Sequence, residues 1–513
     1  MVETVSGTDR SAGITYQTLL DADSHPVPEL YRVQSPLPPG PTVVPAEHYF
    51  SKAFHDLEVE KLWKRVWQMA CHEDDIPEVG DYLVYDIAHL SFLIVRTAPD
   101  EFRAFHNACL HRGRLLKSHG GKRAREFRCS FHGWAWNTDG SLKEVPCQWD
   151  FPTVTEEAYS LPQVKVGRWG GFVFINPDAD AEPLEEYLGD LSDQFPNLPY
   201  EQRYKMAHVS KILRCNWKVA QEAFSEAYHV IATHPTILDS IGDANTQYDV
   251  FGNYSRAISP NLTPSPHLQG HVPAALDDAR LYTKLRHALT GHVYEKQGDD
   301  LVHVTQANGD ISKFRADGSW IEGPMTHADT NMCNWVGGRQ LPGTEDLPLP
   351  RAPEVPDGQN LRQVAAEGAR ESYRGVLGDL MNNVSDAELL DSIYLTVFPN
   401  FHPWGAFHRI VYRFRPNGDN PEECIMECMY LAPSPAGEKR PPAAPIHYLG
   451  PDDDWVDADE LGMLAKVFNQ DVVNMPEVQR GLKTMANPQV IFANYGETKI
   501  RHFHMLKDKW LGL

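Results

Sequence analysis

The stretch CLHRGRLLKSHGGKRAREFRCSFHGWAW, residues 109–136, holds two short donor pairs, Cys109-x-His111 and Cys129-x-x-His132, with seventeen residues between them. Thiolate sulfur and imidazole nitrogen both ligate zinc and iron–sulfur clusters. A structural zinc site is the simpler reading, but its usual spacing pairs cysteine with cysteine and histidine with histidine. Here each cysteine is followed by its own histidine. That interleaving suits a [2Fe–2S] cluster held by two similar loops, each giving a thiolate to one iron and an imidazole to the other. Gly113 and Gly133 flank the ligands and let main-chain amides approach the sulfides. Neutral imidazole in place of thiolate raises the cluster's potential, so single-electron transfer is the expected chemistry.

Around this stretch the texture is β. DYLVYDI, SFLIVRT, EFRCSFH and GGFVFIN are short runs separated by turns such as Thr138-Asp139-Gly140. Residues 66–172 therefore read as a small antiparallel β domain with the Cys/His pairs at two loop tips. Before it, residues 1–65 read as a proline-rich extended arm followed by a helix, FSKAFHDLEVEKLWKRVWQ, packing on the rest. After it, residues 173–513 form a larger domain. HVSKILRCNWKV reads as a strand entering a helix over 216–234. Some 150 irregular residues follow, with helical pieces such as ALDDARLYTKLRHAL. Strands return in SIYLTVFPNFH, HRIVYRFRP and ECIMECMYLA before a late helix, LGMLAKVFNQDVVNMPEVQRGL.

The chain's 513 residues, 42% of them apolar, suffice for two or three cored domains. A net charge of −23 argues against nucleic acid as a partner, because phosphate binding needs a basic surface. The basic run Lys122-Arg123-Ala124-Arg125 reads as a solvated loop. Eight scattered cysteines make no disulfide framework. Without a signal-like N-terminus or a run of about 18 apolar residues, no membrane span and a cytoplasmic location are expected.

A second constellation lies in NWKVAQEAFSEAYHVIATHPTIL, residues 216–238. On a continuous helix Glu222, Glu226, His229 and Thr233 share one face, which an ordinary amphipathic helix would also explain. His229 and His234 are five apart, off the helical register. Pro235 pushes His234 out of the α region, so the helix end distorts and can bring the two imidazoles together. A facial triad needs a carboxylate as third ligand. Asp471 falls on the apolar stripe Leu461, Leu464, Phe468, Met475, Val478 of the late helix, where a carboxylate is costly unless paired or metal-bound. A buried ion pair is the alternative.

The first stretch resembles the Rieske family. N-W-K…E…E-A-Y-H-x4-H-P downstream of it resembles the catalytic (alpha) subunit of Rieske non-heme iron oxygenases, the aromatic-ring-hydroxylating oxygenases and their relatives. The resemblance covers most of the chain from about residue 45. It implies an α+β fold: a small antiparallel Rieske domain plus a helix-grip-like catalytic domain with an antiparallel sheet and flanking helices. It implies a [2Fe–2S] cluster on Cys109, His111, Cys129 and His132, and mononuclear Fe(II) on His229, His234 and, through the D-x7-Q pattern to Gln479, Asp471. Glu226 would link His229 to His132 of a neighbouring subunit in a head-to-tail homotrimer, with or without a small β subunit. Ring dioxygenases mostly carry Asp at that position, and relatives acting on choline or carnitine carry Glu.

The implied function is a terminal oxygenase using O2 and electrons drawn from NAD(P)H through a reductase, with or without a ferredoxin. The expected substrate is apolar, aromatic or polycyclic, and is mono- or cis-dihydroxylated. The alternatives are a quaternary-amine monooxygenase or demethylase on the same scaffold, and a pure electron carrier. Candidate pocket residues are Phe224, Phe398, Asn400, Phe401 and Trp404. The long segment between His234 and Asp471 implies an enlarged lid. Cys424 and Cys428 read as core, and His502 and His504 as a strand or turn.

Overall fold

The structure is a computed structural model and describes residues 15–274, 276–434 and 440–513. The Cys/His unit is an antiparallel six-stranded sheet in the order Gln68–His72, Phe172–Asn176, Gln163–Trp169, Glu101–His106, Leu90–Ala98, Tyr82–Ile87. The run Phe92-Leu93-Ile94-Val95 is apolar on both faces because each face meets a different core. Phe92 and Ile94 join the main core, while Leu93 and Val95 turn to a smaller one with Phe127, Trp134 and Trp136. That smaller core underlies a three-stranded sheet of Glu126–Arg128, Ala135–Asn137 and Leu142–Glu144, which carries the second ligand loop.

The large unit is built on an eight-stranded sheet, ordered Gln247–Phe251, Tyr254–Ser259, Ser392–Val397, Phe401–Gly405, Ile410–Asn417, Asn420–Pro433, Arg203–Leu213, His447–Leu449. All neighbours are antiparallel except the last pair. Helices Trp217–Ala223 and Met463–Leu482 lie against it. Phe224 fills the space between, 5.5 Å from Phe414, 5.2 Å from Tyr412 and 5.7 Å from Phe468, ring centre to ring centre. The fold is α+β, as expected from sequence.

The units share one core. Phe401 of the large sheet packs against Phe172 and Phe174 of the smaller, with ring centres 4.8 and 5.5 Å apart. Arg413 donates to the main-chain carbonyls of Met69 and Ala70. The described part of the arm holds to the large unit, with Tyr16 Oη donating to Asp391 and Ser24 Oγ to Asp386. Helix Lys52–Glu58 is fastened by a fully buried pair, Glu58 with Lys218 at 2.7 Å.

Three expectations are corrected. The helix expected over 216–234 is two pieces, Trp217–Ala223 and Val230–Thr233. Ser225 Oγ donates to the Gln221 carbonyl, Glu226 Oε2 accepts the His229 N–H, and Ala227 N–H goes to Tyr248 Oη. Side chains thus take over the main-chain groups a continuous helix would use, so Glu222 and Glu226 do not share a helical face. Of the stretch ALDDARLYTKLRHAL, the described residues 276–289 are not helical: Lys284–Arg286 pairs with Val293–Gly298 as an edge of a separate five-stranded sheet, completed by Leu301–Thr305, Ile311–Phe314 and Trp320–Glu322. His502 and His504 lie on the helix Thr498–Leu511. Cys424 and Cys428 are buried in strand Asn420–Pro433. No described helix is long and apolar enough to cross a membrane.

Candidate redox and metal centres

The first site is one loop built twice. Cys109 N–H donates to the Arg114 carbonyl and its own carbonyl accepts from Gly113 N–H; Cys129 does the same with Trp134 and Gly133. Both glycines have positive φ, +73° and +78°, which a side chain at either position would strain. Each sulfur also faces the amides two and three residues on, from His111 and Arg112 in one loop and Phe131 and His132 in the other. Burial pushes the Cys109 thiol up; it opposes ionisation of Cys129 too, but the loop amides hold that thiol below its ordinary value.

The two thiols are close enough for each to influence the other's ionisation, and the two imidazole centres stand 4.6 Å apart. Sulfur thus groups with sulfur and nitrogen with nitrogen, yet among the described residues this quartet forms no single-ion donor set. That arrangement fits two irons rather than one zinc. His111 stacks on Trp134 at 5.1 Å, and its Nδ1 is buried without a protein partner, as a ligating nitrogen would be. His132 is exposed. The basic run 122–125 is a loop tied to the Gly80-Asp81 turn, with Arg123 N–H on Asp81.

The second site converges from two helical segments. Among the described residues, His229, His234 and Asp471 place one donor atom each within 4.8 Å of one another. Nε2 of His229 lies 3.7 Å, and Nε2 of His234 3.0 Å, from the same Asp471 oxygen. His234 ends its helix with φ −122° and ψ 56°, as the following proline requires. Asp471 is buried on Met463–Leu482. The outer nitrogens are both engaged: His229 Nδ1 lies 2.6 Å from Glu226 Oε1, and His234 Nδ1 lies 2.9 Å from Gln470 Oε1. With Nδ1 of each ring engaged outward, Nε2 faces inward and is the nitrogen each ring would offer a metal. Burial disfavours charge on His229, but Glu226 and Asp471 outweigh it and lift the metal-free imidazole to about 9. Two neutral imidazole nitrogens and one carboxylate oxygen fit a mononuclear iron with open positions.

A cavity of about 210 Å3 reaches the triad, walled by His229 and Asp471 with Val219, Ala223, Met475, Val478 and Leu482. Glu222 also lines it. Its carboxyl accepts from Tyr49 Oη at 2.9 Å and lies 2.9 Å from His504 Nε2, and burial pushes it up to about 8. Gln479 fastens this wall, accepting from Asn216 N–H and donating to the Tyr49 carbonyl. None of Phe224, Phe398, Asn400, Phe401 and Trp404 lines the cavity. Phe224 and Phe401 are core, Phe398 packs on Phe503, Trp404 on Tyr394, and Asn400 is fully buried. Of these, Phe401 packs across to the smaller sheet. A larger polar cleft of about 580 Å3 lies between the units, but Arg413 with Glu427 and Lys205 with Asp75 neutralise its charges pairwise.

Residues 199–512 match the family model of the ring hydroxylating alpha subunit (catalytic domain), and residues 66–155 match that of the Rieske [2Fe-2S] domain. The chain belongs to the ring-hydroxylating alpha-subunit family. Members of this Rieske oxygenase family are oxidoreductases that incorporate oxygen, and the two domains imply a Rieske cluster and a mononuclear iron. The chain is 35% identical to the alpha subunit of biphenyl 2,3-dioxygenase from Rhodococcus jostii (strain RHA1) over 192 residues, 36% of this chain and 42% of that one. It is 28% identical to the chloroplastic choline monooxygenase of Beta vulgaris over 205 residues, 39% and 46% of the two chains. The matched stretch thus spans about half the length of these curated relatives. Naphthalene 1,2-dioxygenase with bound indole shares the fold with a TM-score of 0.56 at 16% identity, covering 92% of each chain. A quaternary ammonium Rieske monooxygenase does so with 0.52 at 17% identity, covering 91% of this chain and 94% of that one.

Proposed function

We propose that this ring-hydroxylating alpha subunit is the terminal oxygenase of a multicomponent system. The reading is carried by the convergence of His229, His234 and Asp471 on one point beside a cavity, in a chain that also holds the Rieske quartet. Cys109, His111, Cys129 and His132 would hold the cluster, which would supply single-electron transfer, with a reductase oxidising NAD(P)H, with or without a ferredoxin, as the partner. Ferrous iron on the triad supplies the redox chemistry and free coordination positions that dioxygen activation requires. The protein's part is placement. Glu226 and Gln470 orient the two imidazoles, and the apolar walls exclude water.

The working assembly is a head-to-tail homotrimer, in which Glu226 accepts from His229 of its own chain and from His132 of the partner subunit. Two surfaces support this. Exposed Leu115, Phe131 and Trp149 belong to the unit that presents His132, and exposed Tyr228, Val473, Val478 and Ile491 belong to the segments around the triad.

The substrate is a small apolar compound. The cavity is below the ~300–1,000 Å3 of pockets that take drug-sized ligands, which supports one or two rings over a polycycle. A second reading, an amine substrate, is supported by the similarity to choline and carnitine monooxygenases. Iron and acid-labile sulfide analysis tests the metal assignment: the expected content is one iron beyond each diiron–disulfide cluster, and its absence overturns the reading. Turnover with reductase, NADH and matched panels of aromatics and trimethylamines separates the two substrate classes.

A further inference from the structure

We propose that the helix Thr330–Gly337, with the five-stranded sheet beneath it, braces the iron ligand His234 from outside the cavity and fixes the orientation of its ring. The proposal rests on the assignment of His234 as an iron ligand. The route runs through two amides. Gln470 Oε1 meets His234 Nδ1 at 2.9 Å, and Gln470 Nε2 donates to the main-chain carbonyl of Asn331 at 3.1 Å. An amide's two ends are alike in shape but opposite in hydrogen bonding. A carbonyl can only accept, so Asn331 captures the NH2 end and turns the oxygen of Gln470 towards His234. That oxygen accepts a hydrogen bond from Nδ1–H and leaves Nε2 as the nitrogen turned to the triad, 3.0 Å from Asp471. The side chain of Asn331 completes the hold: its Nδ2 donates to the carbonyl of Ala232, two residues before His234, at 3.0 Å.

The brace is itself anchored. Asp329 caps the helix, accepting from Met332 N–H at 2.7 Å, and its own N–H donates to Tyr294 Oη on the sheet. Met332, Cys333, Trp335 and Val336 are buried in one core with Val302, Val304 and Phe314. At Gly337 an added Cβ would stand 2.4 Å from Val302 Cγ2, so the helix lies directly on the sheet. Beyond the helix, Lys466 Nζ donates to the Arg339 carbonyl and Arg339 pairs with Asp457 at 2.5 Å, which ties the same unit to the helix carrying Asp471. The long segment between His234 and Asp471 was expected to enlarge a lid. No described residue from 235 to 460 lines the cavity beside the triad. The extra chain supports the metal ligand from behind.

The test is titration of the chain, stripped of mononuclear iron but retaining its cluster, with cobalt(II) as a spectroscopic stand-in. The cluster's visible absorption in the same sample reports the intact fold. Partners behind a ligand change metal affinity by about 10–100-fold, so Gln470→Ala is expected in that range and Asn331→Ala at about its lower end. Combined, they should cost less than the product of the single effects. Gln470→Glu keeps an acceptor for His234 but loses the donor to Asn331, so it should bind cobalt more weakly than wild type and shift its ligand-field bands. Wild-type affinity and spectrum in Asn331→Ala or Gln470→Glu, or fully multiplicative single effects, overturn the brace. A wild-type chain that takes up no mononuclear metal overturns the functional reading instead.

Discussion

Cys109, His111, Cys129 and His132 sit on two copies of one tight loop, each closed by the same pair of main-chain hydrogen bonds, whereas His229, His234 and Asp471 ride on helical segments more than two hundred residues apart in the chain. The first site is fixed by local backbone geometry. The second exists only when the sheet, the ligand segment and the late helix are packed together. Damage to one should therefore leave the other standing, and the two should fail for different reasons.

The sharpest way to break that contrast is to delete one donor from each site. Asp471→Ala is expected to abolish turnover and retention of the mononuclear iron while preserving the cluster's absorption spectrum. Cys109→Ser should remove sulfide and colour yet still bind cobalt(II) at the triad. Metal analysis and visible spectra on both variants check this, and joint loss in either would show that the sites are not independent. Next in size is Glu58→Ala, which strands Lys218 as an unpaired buried charge at a cost of about 3–5 kcal/mol. Urea unfolding measures it, and iron should leave at lower urea than the cluster does.

Gly133→Ala probes the local design. The substitution forces a side chain into left-handed backbone at a cost of about 1–2 kcal/mol, beside Pro146 Cγ at 3.3 Å. Cluster loss on heating should come earlier with cobalt affinity at the triad unchanged. A pH-dependent test concerns Glu222. Burial raises its folded value from 4.5 to about 8, so the native state holds a proton that the unfolded chain releases. Its contribution opposes folding increasingly as pH rises from 4.5 through about 8, and then levels off. Glu222→Gln should therefore be more stable than wild type at pH 8 and indistinguishable at pH 4, by urea unfolding at both.

The same contrast explains what could be read from the chain alone. Spacing encodes a local loop, so the quartet was legible, including the pairing of thiolate with thiolate. His234 was legible through Pro235, and Asp471 as a charge on an apolar stripe, although Val478 on that stripe faces the cavity and is half exposed. Gln470, Asn331 and Tyr49 were not legible, because amides and phenols carry no periodic signal and their roles arise from tertiary contact. The ligand helix was drawn too long because Ser225 and Glu226 compete with main-chain bonding. The aromatic pocket candidates lie off the cavity beside the triad, with Phe224 and Phe401 packed in the core.

Phe401 of the large sheet, wedged between Phe172 and Phe174 of the small one, has a consequence for dissection. A fragment cut after residue 176 would turn Phe92, Ile94 and its own half of that aromatic contact out to water. Such a piece should precipitate rather than serve as a portable electron carrier, and calorimetry of the whole polypeptide should record one heat-absorption peak, not two.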